Sequence, residues 1–131
     1  MDPCLQCADA VVCVAPGTPN TDRVFHRKRL SLLPQTAIFV NAGRGAIVDE
    51  AALNEMLREG RLAGAAVDVT IEEPLPADHP FWDCPNMILT QHTGGGTARE
   101  ADRKVEVFIA NFERFVSSQP LQGIANISRG Y

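Results

Sequence analysis

Four short runs of apolar residues set the strongest constraint on how this chain folds. They are rich in alanine and β-branched residues, no run alternates polar and apolar side chains, and they cover residues 8–16, 36–45, 62–69 and 86–92. Runs of this kind predict strands that are buried on both faces, as in a parallel sheet covered by helices. The chain is therefore expected to fold around such a sheet.

Helical patterns separate the first three runs. Residues 21–33 follow the first run, with Thr21 as a candidate N-terminal cap. Residues 48–60 follow the second run, where Asp49 is suited to cap the start of the helix and Gly60 its end. A helix is therefore predicted on each side of the second strand.

The last third of the chain contains a loop, a strand and a final helix. The proline-rich stretch 72–86 is too irregular for a helix and predicts a surface loop. Residues 97–117 space their apolar side chains at helical intervals and begin with a capping-box pattern of Thr97 and Glu100. The order β-α-β-α-β-loop-β-α predicts a doubly wound α/β fold with right-handed crossovers.

Composition excludes several classes of protein. With 45% hydrophobic and 21% charged residues the chain is typical of a globular protein, and its net charge of -4 argues against nucleic acid or anionic membranes as partners. No apolar run reaches the ~20 residues that a membrane span requires. The N-terminus lacks the pattern of a signal peptide, so a cytoplasmic location is expected.

Cys4 and Cys7 have the C-x-x-C spacing of zinc and redox sites. A structural zinc ion takes four ligands, and no second pair of this kind follows in the sequence. Cys13 lies inside an apolar run and is expected in the core. We therefore expect no metal site, and a C-x-x-C metal or redox protein is kept as an alternative.

Polar residues follow the apolar runs and predict a ligand site, because ligands of open α/β sheets bind beyond the carboxyl ends of the strands. Asn41 and Arg44 end the second run, Asp68 and Glu73 follow the third, and His92 ends the fourth. A histidine beside a carboxylate suits proton transfer near neutral pH, and an arginine fork matches a substrate carboxylate. This set suits reduction of the carbonyl of a small α-keto acid, given a source of hydride.

Three segments closely resemble the signatures of the D-isomer-specific 2-hydroxyacid dehydrogenases, a family that includes glyoxylate/hydroxypyruvate reductases and phosphoglycerate dehydrogenase. They occur in the family's order and read VNAGRGAIVDEAAL, GAAVDVTIEEPLPADHPFW and MILTQHTGGGT. The resemblance extends from about Cys7 to the terminal RGY. It implies half of a Rossmann-type sheet of about four strands with flanking helices and a long C-terminal helix. It also implies an NAD- or NADP-dependent oxidoreductase acting on the CH–OH group of D-2-hydroxy acids.

The resemblance also implies roles for single residues. Arg44 would bind the carboxylate and carbonyl of the substrate, and Glu73 would pair with His92, the general acid of ketone reduction. Asp68 would hold the nicotinamide carboxamide, with Arg44 and His92 beside the cofactor. The other implied cofactor contacts are Asn41, then Ala42, Gly43, Gly94 and Gly95 on the nicotinamide-ribose side, and Pro16 and Thr21 nearer the adenosine half.

The family's glycine-rich phosphate turn, G-x-G-x-x-G, is absent from these 131 residues. On the resemblance, residues 1–131 are expected to be a partial dinucleotide-binding domain without the first βαβ unit and the substrate domain, and inactive in isolation. The complete enzyme is expected to be a homodimer that acts on a small 2-keto or 2-hydroxy acid. NAD and NADP both stay open, because the discriminating residues follow another strand. A truncated interaction module that keeps the fold is the main alternative.

Overall fold

The computed structural model describes residues 1–129 and divides the chain into two compact units, Met1–Gly94 and Gly95–Tyr131. Gly130 and Tyr131, with which the resemblance and the expected domain end, lie outside the described residues. The elements of the first unit are α1 (Asp2–Leu5), β1 (Ala10–Cys13), α2 (Arg27–Leu30), β2 (Ile38–Asn41), a 3₁₀ turn (Gly45–Ile47), α3 (Glu50–Arg58), β3 (Gly64–Val67) and β4 (Met87–Leu89). The second unit contains α4 (Glu100–Val116).

The four strands form one parallel sheet in the order β1-β2-β3-β4. The register pairs Cys13 with Asn41, Asn41 with Val67, and Val67 with Leu89. The last residues of all four strands are therefore level, and the following loops leave the sheet along one edge. The predicted α/β fold with about four parallel strands and flanking helices is confirmed.

Helices α2 and α3 cover one face of this sheet. Phe39 of β2 and Val67 of β3 are buried there, together with Leu30 of α2 and Leu53 of α3. The opposite face carries apolar side chains that are 48% to 72% exposed, namely Val12, Val14, Ile38 and Ile88. The expectation that both faces are buried is wrong here. An apolar run indicates that its side chains favour burial, but it does not indicate which element covers them.

The helix expected from Thr21 onward is shorter than its pattern, since α2 begins only at Arg27. The Thr21 hydroxyl donates to the Pro16 carbonyl at 2.7 Å, and Thr21 Oγ1 accepts from the Thr18 amide at 2.8 Å. A threonine that serves a helix N-terminus offers the same acceptor to an amide. Here it closes a turn after β1, and its prediction as a helix cap is wrong.

The other two helices differ in how well their ends were predicted. Asp49 caps α3 as expected, with its Oδ1 accepting from the Ala52 amide at 3.0 Å, and Gly60 ends it in the left-handed conformation at φ +64°. The capping box is wrong, because α4 starts at Glu100, whose amide donates to the Thr97 carbonyl at 3.0 Å. No helix within residues 1–129 is long and apolar enough to cross a bilayer.

Candidate active site

The turn after β2 is shaped by the buried side chain of Asn41, which is 2% exposed. Its Oδ1 accepts from the Gly43 amide at 3.2 Å, and its Nδ2 donates to the Arg44 carbonyl at 3.1 Å. A Cβ at Gly43 would lie 2.6 Å from the Ala15 carbonyl oxygen, so this position admits only glycine. Asn41 therefore uses both polar atoms within the protein, and it directs the turn that carries Arg44.

Arg44 keeps most of its donors uncommitted. One Nη donates to the Gly43 carbonyl at 2.7 Å, and within the described residues no carboxylate lies at ion-pair distance from Arg44. The side chain passes Gly17, where a Cβ would lie 3.1 Å from the Arg44 Cγ. Together with Thr18 it lines a depression of about 540 Å³. An unpaired guanidinium at a depression is suited to bind an anion.

His92 and Glu73 form a hydrogen-bonded pair, with 2.7 Å between His92 Nδ1 and Glu73 Oε2. The other oxygen, Oε1, accepts from the Thr70 amide at 3.0 Å. The hydrogen bond to His92, then that from Thr70 and the nearby charge of Arg44, lower the pKa of the Glu73 carboxyl. An ionised carboxylate only accepts, so Nδ1 carries the hydrogen, and Nε2 is the nitrogen available for proton exchange.

Asp68 holds the turn that presents the histidine. Its Oδ1 accepts from the Thr90 hydroxyl and, at 3.0 Å, from the Thr93 amide, and its Oδ2 accepts from the Gly94 amide at 2.8 Å. These bonds, that from Thr90 first, lower the pKa of the Asp68 carboxyl. They stabilise His92 at φ +57°, a conformation that non-glycine residues rarely adopt. A carboxylate has about four acceptor positions, so Oδ2 keeps one for a ligand amide.

A cleft of about 870 Å³ lies beside the His92–Glu73 pair. Polar side chains line one part of it, and the apolar side chains of Leu75, Trp82 and Leu89 line another. Arg44 lines the neighbouring depression, and Thr70 lines both spaces. The structure therefore joins Glu73 and His92 directly, and it places Arg44 close enough to act on Glu73 by its charge.

The remaining predicted contacts lie on the turns around this edge. Pro16 and Thr21 belong to the turn after β1, where they are hydrogen-bonded to each other. A Cβ at Gly94 would lie 4.0 Å from that of Ala42, so the turns after β2 and β4 meet. Gly95 begins the second unit and has open space around its Cβ position.

Three residues with important contacts escaped the analysis of the sequence. Thr70 orients Glu73, Thr90 bonds to Asp68, and the Glu50 carboxylate accepts from the amide of Ile71 at 2.8 Å. The position of Thr90, two residues before His92, indicated only weakly that it contacts the site. Glu50 looked like an ordinary acid in the first turn of a helix, and nothing in its surroundings indicated a partner 21 residues away.

Comparison with known proteins gives one family. The model of the D-isomer specific 2-hydroxyacid dehydrogenase NAD binding domain matches residues 1–94. Glyoxylate/hydroxypyruvate reductase B of Citrobacter koseri is 40% identical over 97 residues, which make up 74% of this chain and 30% of the relative. D-3-phosphoglycerate dehydrogenase of Methanocaldococcus jannaschii is 40% identical over 103 residues, 79% of this chain and 19% of the relative.

Solved structures agree with this result. A D-isomer specific 2-hydroxyacid dehydrogenase from Xanthobacter autotrophicus Py2, in complex with NADPH and MES, is similar with a TM-score of 0.91 at 34% identity. The match covers 99% of this chain and 53% of that chain. The NADPH-dependent glyoxylate/hydroxypyruvate reductase of Sinorhizobium meliloti, in complex with NADP and sulfate, is similar with a TM-score of 0.91 at 32% identity. This match covers 99% of this chain and 42% of that chain. This chain thus spans about half or less of the proteins it resembles.

Proposed function

The chain belongs to the D-isomer-specific 2-hydroxyacid dehydrogenase family, and we therefore propose that it supplies the proton-transfer and substrate-binding groups of an NAD(P)-dependent oxidoreductase. The hydrogen bond of 2.7 Å between His92 and Glu73, beside a cleft, is the observation that carries this proposal. Relatives named glyoxylate/hydroxypyruvate reductase support a small 2-keto acid as the substrate. In this proposal residues 1–131 are part of a dinucleotide-binding domain.

The residues suggest how the reaction proceeds. A bound nicotinamide would supply the hydride. His92 gives a proton from Nε2 to the carbonyl oxygen of the substrate, while the Glu73 carboxylate holds Nδ1–H and stabilises the imidazolium. Arg44 binds the substrate carboxylate with two parallel hydrogen bonds. In the direction of oxidation, Nε2 takes the proton from the hydroxyl group.

The same turns offer contacts for the cofactor. Asp68 Oδ2 would accept from the nicotinamide carboxamide at its remaining acceptor position. Ala42, Gly43, Gly94 and Gly95 would hold the ribose side, and Pro16 and Thr21 the adenosine half. Asn41 acts through the shape of its turn. The neighbours solved with NADPH or NADP support binding of NADP(H), and NAD is the other candidate.

We extend the proposal to the complete enzyme as a cytoplasmic homodimer that binds neither nucleic acid nor membranes. The net charge of -4 supports the absence of polyanionic partners, and the homodimer and the location are carried over from the family resemblance. Sedimentation of the complete enzyme and cell fractionation test these points. A stable monomer, or recovery with membranes, would contradict them.

A chimera tests the proposed chemistry. This chain replaces the matching segment of the Citrobacter koseri reductase, and reduction of glyoxylate and hydroxypyruvate is followed by NADPH absorbance. His92→Ala is expected to lower kcat by ~10²–10⁴, the usual contribution of a general acid, with little change in cofactor affinity. His26→Ala, a change at the exposed N-cap of α2, is the matched control and is expected to leave kcat unchanged.

Two outcomes contradict the proposal. One is a folded chimera that binds NADPH and reduces neither substrate. The other is an active chimera in which His92→Ala leaves kcat unchanged. A folded chimera that binds no cofactor at all favours the alternative of an interaction module.

A further inference from the structure

Glu50 is a carboxylate that the proposed mechanism does not use, although its side chain is only 14% exposed. Its Oε1 accepts from the Ile71 amide at 2.8 Å. Burial raises the pKa of the Glu50 carboxyl, and the bond from Ile71 and the nearby His79 oppose this change. A largely buried acid is usually retained with a defined partner, and here that partner is a loop amide.

The Ile71 amide belongs to the turn that carries Glu73. The preceding amide, that of Thr70, donates to Glu73 Oε1 at 3.0 Å, and the Thr70 hydroxyl donates to the Glu72 carbonyl at 2.8 Å. Two successive amides therefore donate to two different carboxylates, that of Thr70 to Glu73 and that of Ile71 to Glu50. The peptide between them cannot rotate without breaking one of these bonds.

Gly45 packs against the same peptide from the turn before α3. A Cβ at Gly45 would lie 2.0 Å from the Thr70 carbonyl carbon and 2.3 Å from the Ile71 nitrogen. No side chain fits at this position, so the backbone before α3 lies directly against the backbone after β3. Close packing keeps Glu50 within reach of Ile71.

His79 provides a second contact between Glu50 and the loop. Its Nδ1 accepts from the Phe81 amide at 3.2 Å, so the neutral ring carries its hydrogen on Nε2. That nitrogen lies 3.6 Å from Glu50 Oε2, beyond a good hydrogen bond but within electrostatic range. Phe81 is 1% exposed and fixes this end of the loop in the core. Glu50 thus contacts the loop on both sides of Glu73.

We propose that Glu50 is a positioning residue, which fixes the Thr70–Ile71 peptide so that the Glu73 carboxylate meets His92. The inference rests on the proposed function, since that function gives Glu73 and His92 their roles. Glu50 lines neither the cleft beside His92 nor the depression beside Arg44. The ionisable groups that face it are His79 and Glu73, of which Glu73 carries a like charge.

Two amide protons report the two carboxylates separately. In the full chain labelled with ¹⁵N-threonine and ¹⁵N-isoleucine, the Thr70 amide shift follows ionisation of Glu73, and the Ile71 amide shift follows that of Glu50. With Glu50 unchanged, the Ile71 amide is expected to titrate above the ordinary carboxyl value and the Thr70 amide below it. The experiment is run at low protein concentration in the Val12→Lys background, so that an exposed lysine opposes association through the sheet.

Glu50→Ala removes the acceptor of the Ile71 amide. It is expected to raise the pH midpoint of the Thr70 amide shift, which reports Glu73, towards ~4.3, the ordinary pKa of a glutamate. Glu50→Gln keeps an acceptor oxygen, so the low Thr70 midpoint is expected to persist while the titration at Ile71 disappears. Glu59→Gln, at the far end of α3, alters an exposed pair with Arg61 and is the control, expected to change neither midpoint.

An unchanged Thr70 midpoint in Glu50→Ala would overturn the proposal. If that variant does not fold, Glu50→Gln decides, because a Thr70 midpoint at the ordinary value there would show that an acceptor at position 50 does not fix Glu73. The titration needs neither cofactor nor turnover. Its failure is therefore distinct from failure of the oxidoreductase proposal, which the chimera tests.

Discussion

Replacing Asn41 with leucine separates its contribution to the fold from a contact with the cofactor. Leucine has nearly the same size and no polar atoms. The change removes the acceptor of the Gly43 amide at 3.2 Å and the donor to the Arg44 carbonyl at 3.1 Å. The Gly43 amide is buried and is left without a partner, and the Arg44 carbonyl, in a partly buried bond, also loses its donor.

The size of the effect follows from these two groups. A buried group without a partner costs ~1–3 kcal/mol, and the partly buried carbonyl adds the lower end of that range, so Asn41→Leu is expected to lose ~2–4 kcal/mol of unfolding free energy. With a urea m-value of about 2 kcal/mol/M, the midpoint falls by roughly 1–2 M at unchanged m. Unfolding is followed by the fluorescence of Trp82, the single tryptophan.

Asn54→Leu is the matched control for this substitution. Its side chain accepts from Arg58 Nε at 3.1 Å on the exposed part of α3, so the expected loss is within about 0.5 kcal/mol. The reasoning is refuted if the two leucine variants unfold at the same urea concentration. If Asn41→Leu keeps its stability but loses NADPH affinity in the chimera, Asn41 acts by direct contact with the cofactor.

Three further predictions concern the charge of the site and the sheet. Arg44→Lys in the chimera is expected to reduce kcat/KM strongly for α-keto acids and little for ketones without a carboxylate, because an ammonium cannot form the bidentate contact; equal losses on both would make Arg44 structural. Folding lowers the pKa of the Asp68 carboxyl, so its contribution to stability is present above the unfolded value of ~3.9 and is lost as pH falls through the folded value. Urea midpoints measured from pH 5 downwards should therefore fall less steeply in Asp68→Asn than in the unchanged chain. An identical slope in the two proteins contradicts the assignment. The isolated chain is expected to self-associate through its uncovered sheet, to bind NADPH weakly and to reduce neither substrate. Val12→Lys should lower its sedimentation coefficient, because an exposed lysine opposes association. A monomeric unchanged chain that binds NADPH with micromolar affinity would contradict this prediction.

The sequence predicted the succession of four parallel strands along the chain and the edge at which the polar residues meet. Both follow from local information, since an unalternated apolar run marks a parallel strand and the next few residues must leave from its carboxyl end. The strand ends therefore predict that His92 and Glu73 lie at one edge, the family resemblance implies that they pair, and their nitrogen and oxygen are 2.7 Å apart. The functional roles of these residues stay predictions.

The contacts that orient these groups were not predictable in the same way. Glu50 and Ile71 are 21 positions apart, and Asp68 reaches Thr90, Thr93 and Gly94 across 22 to 26. Such pairings depend on how loops pack after the sheet has formed, and no local pattern records them. Cap signals were ambiguous for a related reason, since a threonine hydroxyl serves a turn as well as a helix end.

The common level of the strand ends has a consequence for how the gene tolerates insertions and deletions. Asp68 directly follows β3, and Arg44 and His92 come shortly after the last residues of β2 and β4. An added codon in these spacers turns a side chain away from its neighbours. Length variation among natural alleles should therefore be absent from the spacers, and also from the turn between Pro76 and His79, where the His79 amide donates to the Pro76 carbonyl at 3.0 Å.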